Sequence, residues 1–316
     1  MGQFNMTINS SDKKFFKWLH SNAEQSVNTH NIDISNIREN MKRLEQFVDS
    51  PAEIEFQDIN LHSTKNHTIR LRYYHVSNVV KPLIIFFPGN GFIYDLFEAN
   101  HSVISKIAKM SECHAVMVDY RLAPEYPYPA ALEDAMEAVH YIFNNITLFN
   151  ADINKIILAG YSSGANLAAV ITNKVRNNRH TPIFHQFLIS GAYDYTNSSH
   201  IYDEYVIQDE LLSPTEAQFS FDSYCQESQR KESTCSPFWE TNLEGLPPTT
   251  IMVSEYDGGR NQSEAYAKKL IEAGNDITKI VLPGQTHGTI LYRKALSDGK
   301  DPACVAADEI HKVVKS

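Results

Sequence analysis

The spacing of hydrophobic and polar positions changes along the chain and predicts its elements. After Pro51, residues 53–63 and 68–76 alternate apolar with polar side chains, as strands with one exposed face do. Later runs are apolar throughout, as in parallel strands that are buried on both faces. These runs lie at 82–89, 114–120, 155–162, 185–191, 249–257 and 278–284. The pattern therefore predicts eight strands.

Segments with helically spaced apolar residues separate the buried runs. They predict helices at about 102–110, 132–143, 166–175, 264–273 and 303–314. Strands that alternate with helices favour an α/β fold, in which a parallel sheet is covered on both faces. We therefore predict a twisted, mostly parallel open sheet of eight strands, flanked by helices, in one domain at 51–316.

Two segments do not fit this alternation, and we predict that they form a cap. Residues 1–50 are polar, with helically spaced apolar positions from about residue 11; these are Phe15, Phe16, Leu19, Ile37, Met41, Leu44 and Phe47. The stretch at 192–248 is too long for an ordinary connection between two core strands, and a helix is expected near 215–224. We expect an N-terminal helical cap segment at 1–50 and a cap insertion at about 195–245.

Size and charge narrow the classes of function. The chain has 316 residues, 42% of them hydrophobic and 21% charged, which is the composition of a globular protein with a sizeable core. Its formal net charge of −10 opposes binding to phosphate backbones, so nucleic acid is not an expected partner. No stretch approaches the ~20 apolar residues of a membrane span, so we expect no integral membrane association.

The cysteines and the N-terminus bear on the cellular compartment. The four cysteines are spaced too widely for a zinc site, so no metal is expected. Cys225 and Cys235 could pair in an exported protein, but free or buried thiols are the favoured interpretation. The N-terminus lacks the apolar core of a signal peptide and the serine or threonine of a myristoylation signal. We expect a soluble, cytoplasmic protein; residues 12–20 could alternatively rest on a membrane surface.

The motif Gly160-Tyr161-Ser162-Ser163-Gly164 carries the clearest chemical signal. It follows an apolar run and opens a helix, which is the setting of a nucleophile elbow, where a tight turn exposes a serine hydroxyl. The glycines leave room for that turn, and the N–H groups at the start of the helix favour developing negative charge. We predict Ser162 as the nucleophile.

A serine hydroxyl needs a base, and the base needs an orienting acid. His287 follows the last strand, and Asp257 follows the strand before it, so the chain order is serine, acid, histidine. Asp194, at the end of another strand, could reach the same histidine, and Glu255 is a second competitor. We favour Asp257.

Acyl transfer also needs donors for the oxyanion. Residues 88–92, Pro-Gly-Asn-Gly-Phe, form a tight loop directly after a buried strand. The backbone N–H groups of Asn90 and Gly91 could join that of Ser163, the residue after the nucleophile. The alternative is a plain β-turn.

These motifs together resemble the hormone-sensitive-lipase-like esterases, the group of bacterial acetyl esterases and arylacetamide deacetylases. The family's HGGGF, YRLAPEHPFPAALEDA, GDSAGG, EFDPLRDE and HGF motifs correspond to segments of this chain at 88–92, 120–135, 160–166, 236–262 and 287–289. The resemblance runs from about residue 50 to the end. It implies an α/β-hydrolase fold with a cap, Ser162, Asp257 and His287 as catalytic residues, and Asn90, Gly91 and Ser163 as oxyanion donors.

The chain departs from the family at several positions near the predicted site. Pro88 and Asn90 replace a histidine and a glycine of the oxyanion loop, and Tyr161 replaces an aspartate beside the nucleophile. Proline removes a backbone donor and fixes φ, whereas asparagine tolerates unusual dihedral angles. Beyond the acid, the usual Pro-Leu and Asp-Glu pairs are replaced by residues 258–259, Gly-Gly, and 261–262, Asn-Gln. These changes bear on substrate and rate more than on the class of reaction.

The expected function is hydrolysis of carboxylic esters through an acyl-serine intermediate, with a small-molecule ester as substrate and no cofactor. A short acyl chain is implied by the resemblance alone. Amide hydrolysis, as in an amidase or deacetylase, is one alternative, and ligand binding on a hydrolase scaffold is another. A homodimer is one candidate assembly.

Overall fold

The computed structural model describes residues 11, 13–17, 34–196 and 214–316, and within them the chain forms an eight-stranded sheet. The strand order is β1-β2-β4-β3-β5-β6-β7-β8. The strands are β1 (Glu55–His62), β2 (Thr68–His75), β3 (Lys81–Phe87), β4 (His114–Asp119), β5 (Ala151–Tyr161), β6 (His185–Ile189), β7 (Thr249–Ser254) and β8 (Ile277–Leu282). β2 is antiparallel to its neighbours β1 and β4, and all other pairs are parallel. The predicted eight-stranded, mostly parallel sheet is confirmed.

Helices cover both faces of this sheet. They are α1 (Ile34–Arg43), α2 (Phe97–Ser111), α3 (Ala130–Asn144), α4 (Ser163–Val175), α5 (Pro214–Tyr224), α6 (Arg260–Glu272) and α7 (Pro302–Lys315). α3, α4 and α6 bury their apolar residues in the core on one face, and α2 and α7 bury theirs in the core on the other face. No helix in the described part of the chain is long and apolar enough to cross a membrane.

Two predicted segments differ in detail from the observed elements. β5 begins at Ala151, four residues before the predicted run. Its first four residues alternate apolar with polar side chains and are half-buried or exposed, so they form no continuous apolar run. β8, predicted as a strand buried on both faces, pairs only with β7 at the edge of the sheet. Most of its side chains are accordingly half-buried or exposed.

The segments predicted to form a cap lie only partly within the described residues, which exclude 18–33 and 197–213. Residues 13–17 are helical, and Phe15 and Phe16 are buried, with the Phe15 ring 5.1 Å from that of Phe47. In α1, Arg38 donates to the carbonyl oxygens of Ile93 and Ala123, both at 2.8 Å. The helix expected near 215–224 is observed as α5.

Candidate active site

Ser162 lies in the sharp turn between β5 and α4, with φ of 55° and ψ of −120°. This region of backbone space is strained for a residue with a side chain. The turn also requires glycines on both sides. A Cβ on Gly160 would lie 2.2 Å from the carbonyl oxygen of Gly164, and a Cβ on Gly164 would lie 1.9 Å from that of Phe87. The glycines of the motif therefore allow the turn to pack against the end of β3.

The structure brings Ser162, His287 and Asp257 together in one hydrogen-bonded row. Nε2 of His287 lies 3.0 Å from Oγ of Ser162, and Nδ1 lies 3.0 Å from each carboxylate oxygen of Asp257. An ionised carboxylate only accepts hydrogen bonds, so Nδ1 carries the proton and Nε2 is free to accept the serine proton. Asp257 is 1% exposed and also accepts the N–H of Gly259 at 2.7 Å.

The two competing carboxylates are engaged elsewhere. Asp194 accepts the hydroxyl and N–H of Thr196 and, at 3.0 Å, the indole N–H of Trp239. Glu255 accepts the N–H of Gly284 at 2.8 Å. The carboxylate in contact with the imidazole is that of Asp257.

The three predicted oxyanion donors are neighbours, but they are not equivalent. The N–H of Asn90 donates to Oγ of Ser163 at 3.0 Å, so this donor is already occupied. Among the described residues, no hydrogen bond engages the N–H of Gly91 or of Ser163. Both residues line the space in front of Ser162. The hydroxyl at position 163 therefore competes with an oxyanion for the N–H of Asn90.

A buried network fixes the shape of the oxyanion loop, residues 88–92. The Tyr120 hydroxyl lies 2.6 Å from the carbonyl oxygen of Pro88 and 2.8 Å from Oδ1 of Asn90. Full burial raises the pKa of Tyr120 well above its ordinary value, so the hydroxyl remains a donor. The Asn100 side chain pairs with both backbone groups of Gly89, at 3.0 and 3.1 Å. The loop is thus held by side chains that lie outside the catalytic row.

Helix α5, which lies in the predicted cap insertion, also contacts this loop. From α5, the Ser220 hydroxyl donates to the carbonyl oxygen of Gly91. The ring of Phe92 stacks on that of Tyr224, with centroids 3.7 Å apart and planes 9° apart. Aromatic contacts of this kind add to the stabilisation from buried area.

The sequence predictions missed Tyr120, Asn100 and Ser220. The signal available for Tyr120 was its place at the start of the sixteen-residue block at 120–135. The structure explains that block: the Arg121 guanidinium and N–H bind Asp134, which is 1% exposed, and so fix the segment that follows β4 against α3. No comparable motif marks the other two residues.

Tyr161 stands where the family has an aspartate, and it forms a hydrogen bond to the backbone of His287. Its hydroxyl donates to the carbonyl oxygen of His287 at 2.8 Å. Its ring fills the space beside Gly89, where a Cβ would lie 2.2 Å from the ring. The tyrosine therefore connects the nucleophile elbow to both the oxyanion loop and the base.

Two cavities meet at Ser162 and His287. The inner cavity lies beneath α5, and its wall contains small residues and two aromatic rings: Gly191, Ala192, Tyr195, Ala217, Phe221, Gly258 and Gly259. The outer cavity lies on the α1 side of the catalytic row and is lined by larger residues: Met41, Tyr94, Leu96, Leu291 and Tyr292. An ester bound at Ser162 would place its acyl group in one cavity and its alcohol group in the other.

Within the described residues, no group of acidic, histidine or cysteine side chains is arranged to hold a metal ion. All four cysteines are free, and three of them are buried, as the sequence analysis favoured.

Comparisons with known proteins agree with this geometry. A family described as alpha/beta hydrolase fold matches residues 84–291. Esterase LipI of Mycobacterium tuberculosis is 29% identical over 214 residues, 67% of this chain and 66% of that protein. An arylesterase of Saccharolobus solfataricus is 27% identical over 214 residues, 65% of this chain and 67% of that protein.

A solved structure, a hyperthermophilic esterase from Pyrobaculum calidifontis, superposes with a TM-score of 0.89 at 27% identity, covering 98% of this chain and all of that one. The alignments with the first curated relatives span 66% of the length of those proteins.

Proposed function

Because this chain belongs to the α/β-hydrolase family, we propose that it is a serine carboxylesterase that hydrolyses short-acyl esters through an acyl-serine intermediate. The observation that carries the proposal is the row of 3.0 Å contacts from Asp257 through His287 to Ser162. The esterases among its relatives support the choice of an ester substrate.

In the first half of the reaction, Ser162 attacks the ester carbonyl and His287 takes its proton through Nε2. The charge on the carbonyl oxygen is stabilised by the N–H groups of Gly91 and Ser163, joined by that of Asn90 once it leaves Oγ of Ser163, and each such donor contributes about 3 kcal/mol to lowering the barrier. His287 then protonates the leaving alcohol, while Asp257 stabilises the imidazolium.

In the second half, water replaces the alcohol and His287 removes its proton. The water oxygen attacks the acyl-serine, and as the tetrahedral intermediate collapses His287 returns the proton to Oγ of Ser162, which releases the acid and restores the serine. No step requires a metal ion or a cofactor. A compact acyl group suits the inner cavity, whose wall combines glycine and alanine with the rings of Tyr195 and Phe221.

Hydrolysis of p-nitrophenyl esters from acetate to dodecanoate tests the proposal. We expect activity that falls with chain length in the wild type and is absent in Ser162→Ala. Ser297→Ala removes a hydroxyl from an exposed serine and should leave the activity unchanged. A wild type no faster than Ser162→Ala on every ester and on the matching p-nitroanilides would contradict a hydrolase of either class.

We further propose that the protein works in the cytoplasm as a soluble enzyme. Its four free cysteines support this location, because thiols persist in reducing compartments. Fractionation of cells that express the tagged protein tests the proposal; recovery with membranes or in the medium would contradict it.

A further inference from the structure

Gln262 presents an unused hydrogen-bond donor to the active site. It lies in the first turn of α6, is only 3% exposed and lines the inner cavity. Its Oε1 accepts the backbone N–H groups of Tyr193, at 2.7 Å, and Asp194, at 2.9 Å. Among the described residues, no group accepts a hydrogen bond from its Nε2.

The orientation of this amide is determined by its partners. Both Tyr193 and Asp194 offer N–H donors, so the atom facing them must be the oxygen, and Nε2 must be on the other side. Nε2 is not one of the polar atoms that are both sealed from solvent and without a partner. Since the side chain is otherwise enclosed, its accessible N–H surface faces the inner cavity.

The surroundings of Nε2 make this donor selective. The wall of the inner cavity is mostly glycine, alanine and aromatic carbon, and two of its serine hydroxyls, those of Ser163 and Ser220, already donate hydrogen bonds to the oxyanion loop. A buried donor that loses its water without gaining an acceptor costs free energy. An alkyl group placed against Nε2 is therefore disfavoured, and an oxygen acceptor is favoured.

The inner cavity suits the acyl arm of the substrate. Helix α5 covers the inner cavity with Ala217, Ser220 and Phe221, whereas it contributes only Ser220 to the outer cavity. The alcohol leaves first, and water must then reach the acyl-serine along the path that the alcohol has vacated. The arm that stays covalently attached therefore belongs in the enclosed space.

We infer that the natural substrate carries a hydrogen-bond acceptor, such as an oxo or hydroxyl oxygen, on its acyl chain, and that Nε2 of Gln262 donates to it. This inference rests on the proposed esterase function. It names the substrate class as esters of oxo- or hydroxy-acids.

The test compares matched acyl groups. The p-nitrophenyl esters of 4-oxohexanoic and 5-oxohexanoic acid are measured beside those of 4-methylhexanoic and 5-methylhexanoic acid, which replace the oxo group with a methyl branch of similar size. One hydrogen bond predicts that kcat/KM of the wild type is about 10-fold higher for at least one oxo ester than for its methyl partner.

Gln262→Glu separates the donor from the structural role of the side chain. A glutamate still accepts the N–H groups of Tyr193 and Asp194 but has no donor for the substrate. We expect the preference for the oxo ester to disappear, and the remaining change in rate to be shared by both esters. Asn261→Asp makes the same chemical change at the neighbouring position, which does not line the cavity, and should keep the preference.

The outcomes distinguish the two proposals. If the wild type hydrolyses the methyl esters but shows no preference, or if Gln262→Glu keeps the preference, the role of Gln262 is refuted and the esterase function stands. If no ester is hydrolysed faster than by Ser162→Ala, both proposals fail.

Discussion

Removing the hydroxyl of Ser163 should make the enzyme faster and less stable. In the structure, Oγ of Ser163 accepts the N–H of Asn90 at 3.0 Å. That N–H lies in the oxyanion loop, next to the unoccupied N–H of Gly91. To stabilise the oxyanion, Asn90 must first release the serine hydroxyl.

The magnitude follows from the hydrogen bond that is broken. A neutral hydrogen bond contributes about 0.5–1.5 kcal/mol net, and 1.4 kcal/mol corresponds to a factor of ten in rate. The released N–H stabilises the transition state by about 3 kcal/mol, so its release is favourable overall. The cost of breaking its hydrogen bond to Ser163 is subtracted from that stabilisation. Ser163→Ala removes this cost, so kcat/KM should rise roughly 2- to 13-fold.

The same change leaves the buried N–H of Asn90 without a partner in the resting enzyme. The free energy of unfolding should therefore fall by about 1–3 kcal/mol. Activity on p-nitrophenyl butyrate and urea unfolding measure the two effects. Their opposite signs exclude a general improvement in folding as the cause of the higher rate.

Ser220→Ala is the control for this prediction. Its hydroxyl also contacts the oxyanion loop, but it donates to the carbonyl oxygen of Gly91 and so occupies no oxyanion donor. It should not raise kcat/KM. An unchanged or lower kcat/KM in correctly folded Ser163→Ala would refute the idea that the N–H of Asn90 is withheld from the oxyanion.

Three further predictions concern the elbow, the acid and a buried histidine. Gly164→Ala places a Cβ 1.9 Å from the carbonyl oxygen of Phe87 and should lower the free energy of unfolding by about 3 kcal/mol or more in urea titrations. Gly245→Ala meets no atom within 4 Å and should cost only the ~1–2 kcal/mol of its left-handed backbone; equal losses would contradict the clash. Asp257→Asn should lower kcat on the order of 10⁴-fold in steady-state assays, and a loss under tenfold would indicate another acid. Burial lowers the pKa of His185 to about 4 from 6.5, so the unfolded chain takes up its proton first as the pH falls. Stability should drop by about 2 kcal/mol between pH 8 and 5, and His185→Gln should lack this drop in urea titrations at both pH values.

Much of the fold is predictable because buried positions are occupied by apolar residues, whose spacing along the sequence differs between strands and helices. The central strands were located from apolar runs such as 82–89 and 114–120. The order of the strands is not recorded in the same way: β4 lies between β2 and β3, and only chain connections and packing determine that. An edge strand such as β8 also retains apolar residues, so its position could not be read from composition.

The catalytic row could be predicted because Ser162, Asp257 and His287 follow the ends of β5, β7 and β8, in that order along the chain. The contact between Asn90 and Ser163 could not, because it joins residues 73 positions apart through one rotatable hydroxyl. The orientation of the Gln262 amide is likewise set by two backbone donors from a different strand end. A sequence names such side chains but does not state which of their atoms faces which neighbour.

The contacts from α5 to the oxyanion loop couple the position of this helix to the shape of the site. Ser220 holds the carbonyl of Gly91, and Tyr224 stacks on Phe92. Any displacement of α5 removes restraints from the predicted oxyanion loop. By thermodynamic linkage, a ligand that binds the ordered loop stabilises the docked helix by the same free energy. Binding of the reacting carbonyl and docking of α5 against the loop are therefore thermodynamically coupled.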